Sequence, residues 1–496
     1  MRRARHTDAR LARTAILGFA CNQGFVFSLF YLGFNQAFPV GHSVFERAEL
    51  FGTLLFMIVS FTVLRIAGPS TRNALLARPL LLGYAALMVT GSLLPFFLAD
   101  SSIFHTVAEC AVLGVPSGFM LAAWGRALGR FPIARSVPEV FIGSALAAAV
   151  CFAFACVPFD EAKLALGILP VGSALSLRHL AGAMQDDAPA QSVGASVRKA
   201  SRLSLKILAG TTVFGLATGF METYGSDPGM ETTPTFPVTL FLFVLFCLAA
   251  LQLFSVGSSQ SAEDQTRFLR FLRGEPSFEE SGPLDDSYRL AVLLMMAGFL
   301  FVPVLGDFGV PGEAIVLAGY LGLSTVLISL FLVMGHISGR DAAVSFASGF
   351  AALFAGEMAG IVFGNVMEIA ARSSQTPYIV VACAGLAALF SYVFLFTERD
   401  FRDLSMAVRD VDRFGEACAR LTREAGLSQR EAEILPLALK GRTNERIAQE
   451  LCIAKSTVDT HLRHIYQKCG VHSRQELIDL GERAESRAGG SVPPSS

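Results

Sequence analysis

Apolar and polar positions are arranged on two length scales along this chain. From residue 14 to residue 396, apolar runs of about 18 to 25 residues recur, separated by short polar breaks. Each run is long enough to cross ~30 Å of hydrocarbon at ~1.5 Å per residue. The pattern predicts twelve spans, near 14–34, 49–67, 79–98, 103–123, 139–157, 163–181, 204–224, 235–256, 288–307, 313–336, 343–370 and 377–396. The sixth is the least regular, because Pro170, Arg178 and His179 interrupt it. After residue 396 the apolar positions thin out. Between 397 and 426, Phe401, Leu404, Val408, Val411 and Phe414 recur at helical spacing among mixed charges. This predicts an amphipathic linker helix that lies at the membrane or pairs with a copy of itself.

From residue 427 the pattern is that of short soluble helices. Ser428 with Glu431 forms a capping box, Ile434, Leu435 and Leu437 give a buried face, and Gly441 stops the helix. Thr443 caps a second helix containing Ile447, Ala448 and Leu451. A third is expected to begin at Ser456, with Val458, Leu462 and Ile465 facing inward. Two short helices joined by a tight turn, the second bearing polar residues outward, make a helix-turn-helix. The fold class is therefore all-α. Residues 1–396 are a transmembrane sensor-like domain, 397–426 the linker, 427–484 the helix-turn-helix domain and 485–496 a disordered tail.

Composition agrees with this division. The chain is 53% hydrophobic and 16% charged, well below the roughly 25% charged of soluble domains. The net charge of −1 is uninformative, but its distribution is not. With residue 1 placed inside, 21 Lys/Arg before residue 397 fall on the inner side, including Arg2, Arg3, Arg72, Arg126, Arg130 and Arg198. Three, Arg47, Lys163 and Arg372, fall outside. The positive-inside rule then places both termini in the cytoplasm, at the inner membrane of a bacterium. The basic start could pass for a signal peptide, but the run behind it reads as a retained span. The loops 182–203 and 257–287 are expected to be inner connections, the second mobile. A short motif, G-x-x-x-G-R, ends both the fourth span (Gly125 to Arg130) and the tenth (Gly335 to Arg340). It suggests two six-span halves, or simply two small-residue helix ends that pack closely.

Nine cysteines are scattered. Cys21, Cys110, Cys151, Cys156, Cys247 and Cys383 lie in apolar runs, and Cys418, Cys452 and Cys469 in the tail. None has metal-site or disulfide-framework spacing, and they read as small apolar residues. No metal ligand set and no cofactor are expected, nor any catalytic constellation, so the chain is not expected to be an enzyme. The polar face of the third helix is net positive and suits phosphate contacts. Candidate DNA-binding residues are Thr443, Asn444, Lys455, Ser456, Thr457, Thr460, His461, Arg463, His464 and Lys468.

Residues 427–477 resemble the DNA-binding domain of the LuxR family. The matching positions are Leu427-Ser428, Arg430-Glu431, Gly441, Asn444, Ile447-Ala448, Leu451, Thr457-Val458, His461, Ile465, Lys468, and Val471 with Arg474. The resemblance implies a four-helix bundle whose third helix enters the major groove. It also implies a fourth helix, 473–483, that supports dimerisation on paired half-sites. The whole arrangement is similar to membrane-embedded LuxR-type regulators whose membrane part is like the major facilitator fold. Two departures stand out. Asp459 replaces a frequent Lys and adds repulsion toward phosphate, and Pro436 sits inside the first helix.

Ionisable groups inside spans are costly and are functional candidates. His105 and Glu109 share one face of the fourth span, and Glu357, Asn365 and Glu368 one side of the eleventh. Asn22 and Gln23 interrupt the first span, and Glu222 ends the seventh. The candidate ligand cavity is Asn22, Gln23, His105, Glu109, Glu357 and Asn365. The alternative is ordinary interhelical hydrogen bonding. Two functions are expected from this: a membrane-bound one-component regulator that binds an unknown small molecule and, as a homodimer, DNA; or a secondary transporter with a DNA- or protein-binding tail.

Overall fold

The computed structural model describes residues 2–31, 38–40, 43–97, 103–154, 157–183, 197–223, 236–256, 282–305, 312–339, 341–371, 398–451 and 453–488. They form two compact units. The first comprises residues 1–187, 202–335 and 341–402, and the second 188–201, 336–340 and 403–496.

The first unit is a helical bundle. Its elements are α1 (Arg2–Tyr31), a hairpin of β1 (Phe38–Val40) and β2 (Ser43–Phe45), α2 (Ala48–Ile66), α3 (Pro69–Leu75), α4 (Arg78–Phe97) and α5 (Ile103–Leu128). They continue with α6 (Ile133–Phe154), α7 (Phe159–Gly167), α8 (Leu169–Ala183), α9 (Val197–Thr223), α10 (Phe236–Val256), α11 (Gly282–Leu305), α12 (Gly312–Ser338) and α13 (Ala342–Ala371). The antiparallel hairpin, Phe38 opposite Phe45, is a small addition to the expected all-α fold. Among the described residues eight helices are long and apolar enough to cross a membrane, and the pair α3–α4, bent by 52°, makes a ninth. The protein is thus a multi-pass membrane protein. The irregular sixth span breaks between α7 and α8 at Ile168, just before Pro170. The twelfth expected span lies outside the described residues. Two expected loops are shorter than predicted. Residues 197–203 already belong to α9 and 282–287 to α11, where Asp285 pairs with Arg289 one turn on.

Apolar faces dictate who packs on whom. α1 lies against α6 and α8, α2 against α5 and α13, and α6 against α10. Phe61 on α2 meets Phe350 and Phe354 on α13, and Phe331 on α12 meets Phe346 and Phe350. Glycine permits the closest approach. A Cβ at Gly215 or Gly219 of α9 would lie 2.1 or 2.0 Å from the carbonyl oxygens of Leu353 or Glu357, and one at Gly360 2.2 Å from that of Leu216. Backbone therefore touches backbone between α9 and α13. Both copies of the G-x-x-x-G motif serve one purpose: Gly125, Gly129 and Gly335 all face the first residues of α13, namely Phe346 and Ala342.

Polar groups at the two ends of α13 are spoken for. Asp341, just before the helix, accepts from the Ala343 N–H and pairs with Arg126 at the end of α5. Arg72 lies 3.6 Å from the same carboxylate. Two of the counted inner-side arginines thus have a specific anionic partner. Near the other end, the Asn365 amide oxygen accepts from the Glu46 N–H at 2.7 Å, and its nitrogen donates to the Glu46 carbonyl at 3.3 Å.

Candidate DNA-binding site

The second unit is built from α14 (Glu398–Glu424) beyond Arg402, α15 (Gln429–Leu439), α16 (Asn444–Glu450), α17 (Lys455–Cys469) and α18 (Arg474–Ala488). α15 starts with the capping box read from the sequence. The Ser428 hydroxyl accepts from the Glu431 N–H at 3.5 Å, and the Glu431 carboxylate accepts from the Ser428 N–H at 2.7 Å. Gly441 then takes the left-handed conformation that ends it, and Thr443 caps α16. Pro436 sits within α15 without ending it. Ala454 precedes α17, which begins at Lys455, one residue earlier than expected. α18 runs to Ala488, so residues 485–488 of the expected tail are helical.

One core holds these helices together. Ile434, Leu435, Leu437, Ile447, Val458, Leu462, Ile465 and Leu477 are buried in it, as their periodicity requires. The same core also takes in Ala417, Cys418 and Leu421 of α14, with Phe414 packed against it and Lys440 over the Phe414 ring. The linker's second half is therefore part of this domain, and that stretch of its apolar face is not available to a membrane. Ala417, Cys418 and Leu421 continue the helical spacing of Phe414, but spacing alone does not say which surface they cover. At the other end of α14, within the first unit, Asp400 pairs with Lys206 at 2.6 Å and Phe401 packs on the Tyr288 ring.

The ten candidate DNA contacts divide into two groups. Lys455, Ser456, Thr457, Thr460, Arg463 and His464 are exposed on α17, and Thr443 on the adjoining cap. This is a continuous polar face able to meet phosphates and base edges. Lys455 pairs with Glu445, and that hydrogen bond raises its pKa. Of the other three, Asn444 and Lys468 have partners within the domain and His461 is half-buried. Asn444 donates to Asp459 at 2.6 Å and accepts from Arg474 at 2.8 Å, while Arg474 also reaches the Arg442 carbonyl. Asp459 is thus a fixed acceptor that ties α17 to α16, a role additional to the lost phosphate contact and repulsion expected from the sequence. Lys468 points back to Glu431 at 2.6 Å and to the Gly426 carbonyl at 3.3 Å. His461 is half-buried, with its Nδ1 enclosed in the protein. Burial alone would raise the Glu431 carboxyl, but hydrogen bonds from Lys468 and Ser428 outweigh it and hold the pKa down at about 2.

Of the candidate cavity residues, Asn22, Gln23, Glu109, Glu357 and Asn365 are buried and His105 is half-buried. Asn365 is engaged by the Glu46 backbone. Glu357 lies where α13 touches Gly219 of α9. The side chains of Glu222 and Glu368 lie outside the described residues.

Comparison with known proteins agrees with this geometry. Residues 425–480 match the family of bacterial regulatory proteins called the luxR family. A stretch of 63 residues is 44% identical to the HTH-type transcriptional regulator MalT of Yersinia pestis (strain Pestoides F) and 43% identical to that of Serratia proteamaculans (strain 568). That stretch is 13% of this chain and only 7% of the length of those relatives. Across most of the chain the likeness is one of fold. The human organic anion transporter MFSD10 (TETRAN) superposes with a TM-score of 0.50 at 12% identity, covering 78% of this chain and 99% of that one. The major facilitator superfamily proton:xylose symporter XylE gives 0.47 at 11% identity, covering 80% and 98%.

Proposed function

Starting from a LuxR-type helix-turn-helix joined to a membrane bundle of major-facilitator-like fold, we propose that the chain is a membrane-bound one-component transcriptional regulator. The observation that carries this reading is α14. Its first turn packs within the membrane unit through Asp400 and Phe401, and its last turns supply Ala417, Cys418 and Leu421 to the core of the DNA-binding domain. A single helix contributes to both units, so a change in one has a covalent, helical route to the other. The signal is a small molecule taken up among the buried polar residues of the bundle. Both termini are cytoplasmic at the inner membrane, and two copies bind paired half-sites, because linking two weak contacts multiplies their affinity. Sensor and effector are then one molecule and no second messenger is needed.

The test is selection of a binding sequence from random duplexes by the full chain in nanodiscs, followed by a reporter carrying that sequence. Deleting residues 427–496 is expected to abolish regulation while membrane insertion persists. Regulation that survives the deletion would refute the reading. A second reading, a proton-coupled transporter with a regulatory tail, is favoured by the buried carboxylates Glu109 and Glu357 within apolar helices. Substrate uptake in liposomes that is lost in Glu357→Gln would make it the better one.

A further inference from the structure

The recognition helix carries a cluster that DNA binding does not explain. His461 and His464 are three residues apart on α17, so their imidazoles share one side of the helix. Across from them stands Glu431, on the first turn of α15. One donor atom from each of the three lies within 4.8 Å of the others, the one such group among the described residues. His464 Nδ1 is 3.7 Å from Glu431 Oε1, while the Ser428 N–H and the Lys468 ammonium both go to Oε2. His461 Nδ1 is buried and has no hydrogen-bond partner. Buried polar atoms are rarely left so, because the desolvation cost is then uncompensated.

We propose that the DNA-binding domain takes up a divalent transition-metal ion between α15 and α17, ligated by Glu431, His461 and His464. Two ligands bonded to one zinc ion at about 2.1 Å lie no more than about 4.2 Å apart. The His464–Glu431 separation already meets that limit, and a small side-chain rotation closes the rest. The two-imidazole, one-carboxylate set fits Zn²⁺, Ni²⁺ or Cu²⁺, with water completing the shell. The Lys468 ammonium beside Oε2 opposes any ion held by charge alone, so Mg²⁺ and Ca²⁺ are disfavoured. The ion satisfies His461, pins the recognition helix to α15 and withdraws His464 from the DNA face.

The experiment is a titration of the full-length protein in detergent with Co²⁺ as a spectroscopic probe, followed by displacement with Zn²⁺, with no DNA present. The expected result is the visible absorption of a low-coordinate Co²⁺ at one ion per chain, removed by Zn²⁺. His464→Ala, an exposed position, is expected to weaken affinity by at least the ~10–100-fold typical of losing even an outer-shell partner. His461→Ala should do the same, and the exposed His472→Ala should leave the affinity unchanged. Equal affinity in wild type and His464→Ala would overturn the proposal, whatever the outcome for DNA binding.

Discussion

Single side chains on the helix-turn-helix do two different jobs, and each has its own signature in mutants. Arg463 is exposed on α17. Arg463→Ala is expected to lower DNA affinity and reduce the salt slope by about 0.9 while leaving stability within about 0.5 kcal/mol. Binding titrations at several salt concentrations read this directly. Asn444→Ala should behave oppositely. It removes the links to Asp459 and Arg474 and destabilises the domain by about 1–3 kcal/mol, measurable by pulse proteolysis of the full chain. Glu431 adds a pH dependence. Its folded pKa of about 2 lies below the ~4.3 of an unfolded Glu. The stability it contributes is complete above about pH 4.3 and is lost as pH falls toward 2. In Glu431→Gln that acid-linked loss should disappear from the pH profile of domain stability. The caps at Ser428 and Thr443 were legible from residue type and spacing. The partners of Asn444 and Lys468 within the domain and the half-burial of His461 were not, because a polar residue at a polar position can face a partner as readily as solvent.

Among the elements, helix contacts made by glycine are the most exacting. Gly219→Val places a branched side chain where even a Cβ would be 2.0 Å from a carbonyl oxygen of α13. The helices must separate, and the variant is expected to fail to elute as a single species in detergent size-exclusion chromatography. Gly83→Ala on α4, where a Cβ meets nothing within 4 Å, should elute like the wild type. Expected spans coincide with helices to within a few residues over most of the bundle, because burial of backbone in lipid leaves helix as the open choice. The break at Ile168 was foreshadowed by Pro170, whereas Arg178 and His179 lie within the unbroken helix that follows. The G-x-x-x-G pairs were visible as well, but their common target at the start of α13 was not. A packing partner distant in sequence leaves no mark on local spacing.

At the scale of the whole molecule, the proposed coupling rests on α14. Ala407→Pro, in the middle of that helix, breaks its hydrogen-bond ladder. On the proposed function, the variant keeps its operator affinity in binding titrations and loses its response to signal in the reporter. The sequence by itself determined which segments are helices, that most of them are apolar enough for a membrane, and that the last hundred residues carry a DNA-reading fold. Those properties follow from hydropathy, periodicity and caps, all local in the chain. Only the tertiary structure decided that the linker's end belongs to the DNA-binding core. It also decided that Asp341 joins Arg72 and Arg126, and that Glu431 stands opposite His461 and His464. Those pairings depend on which helices meet and at what rotation, and close packing of complementary surfaces across the fold sets both.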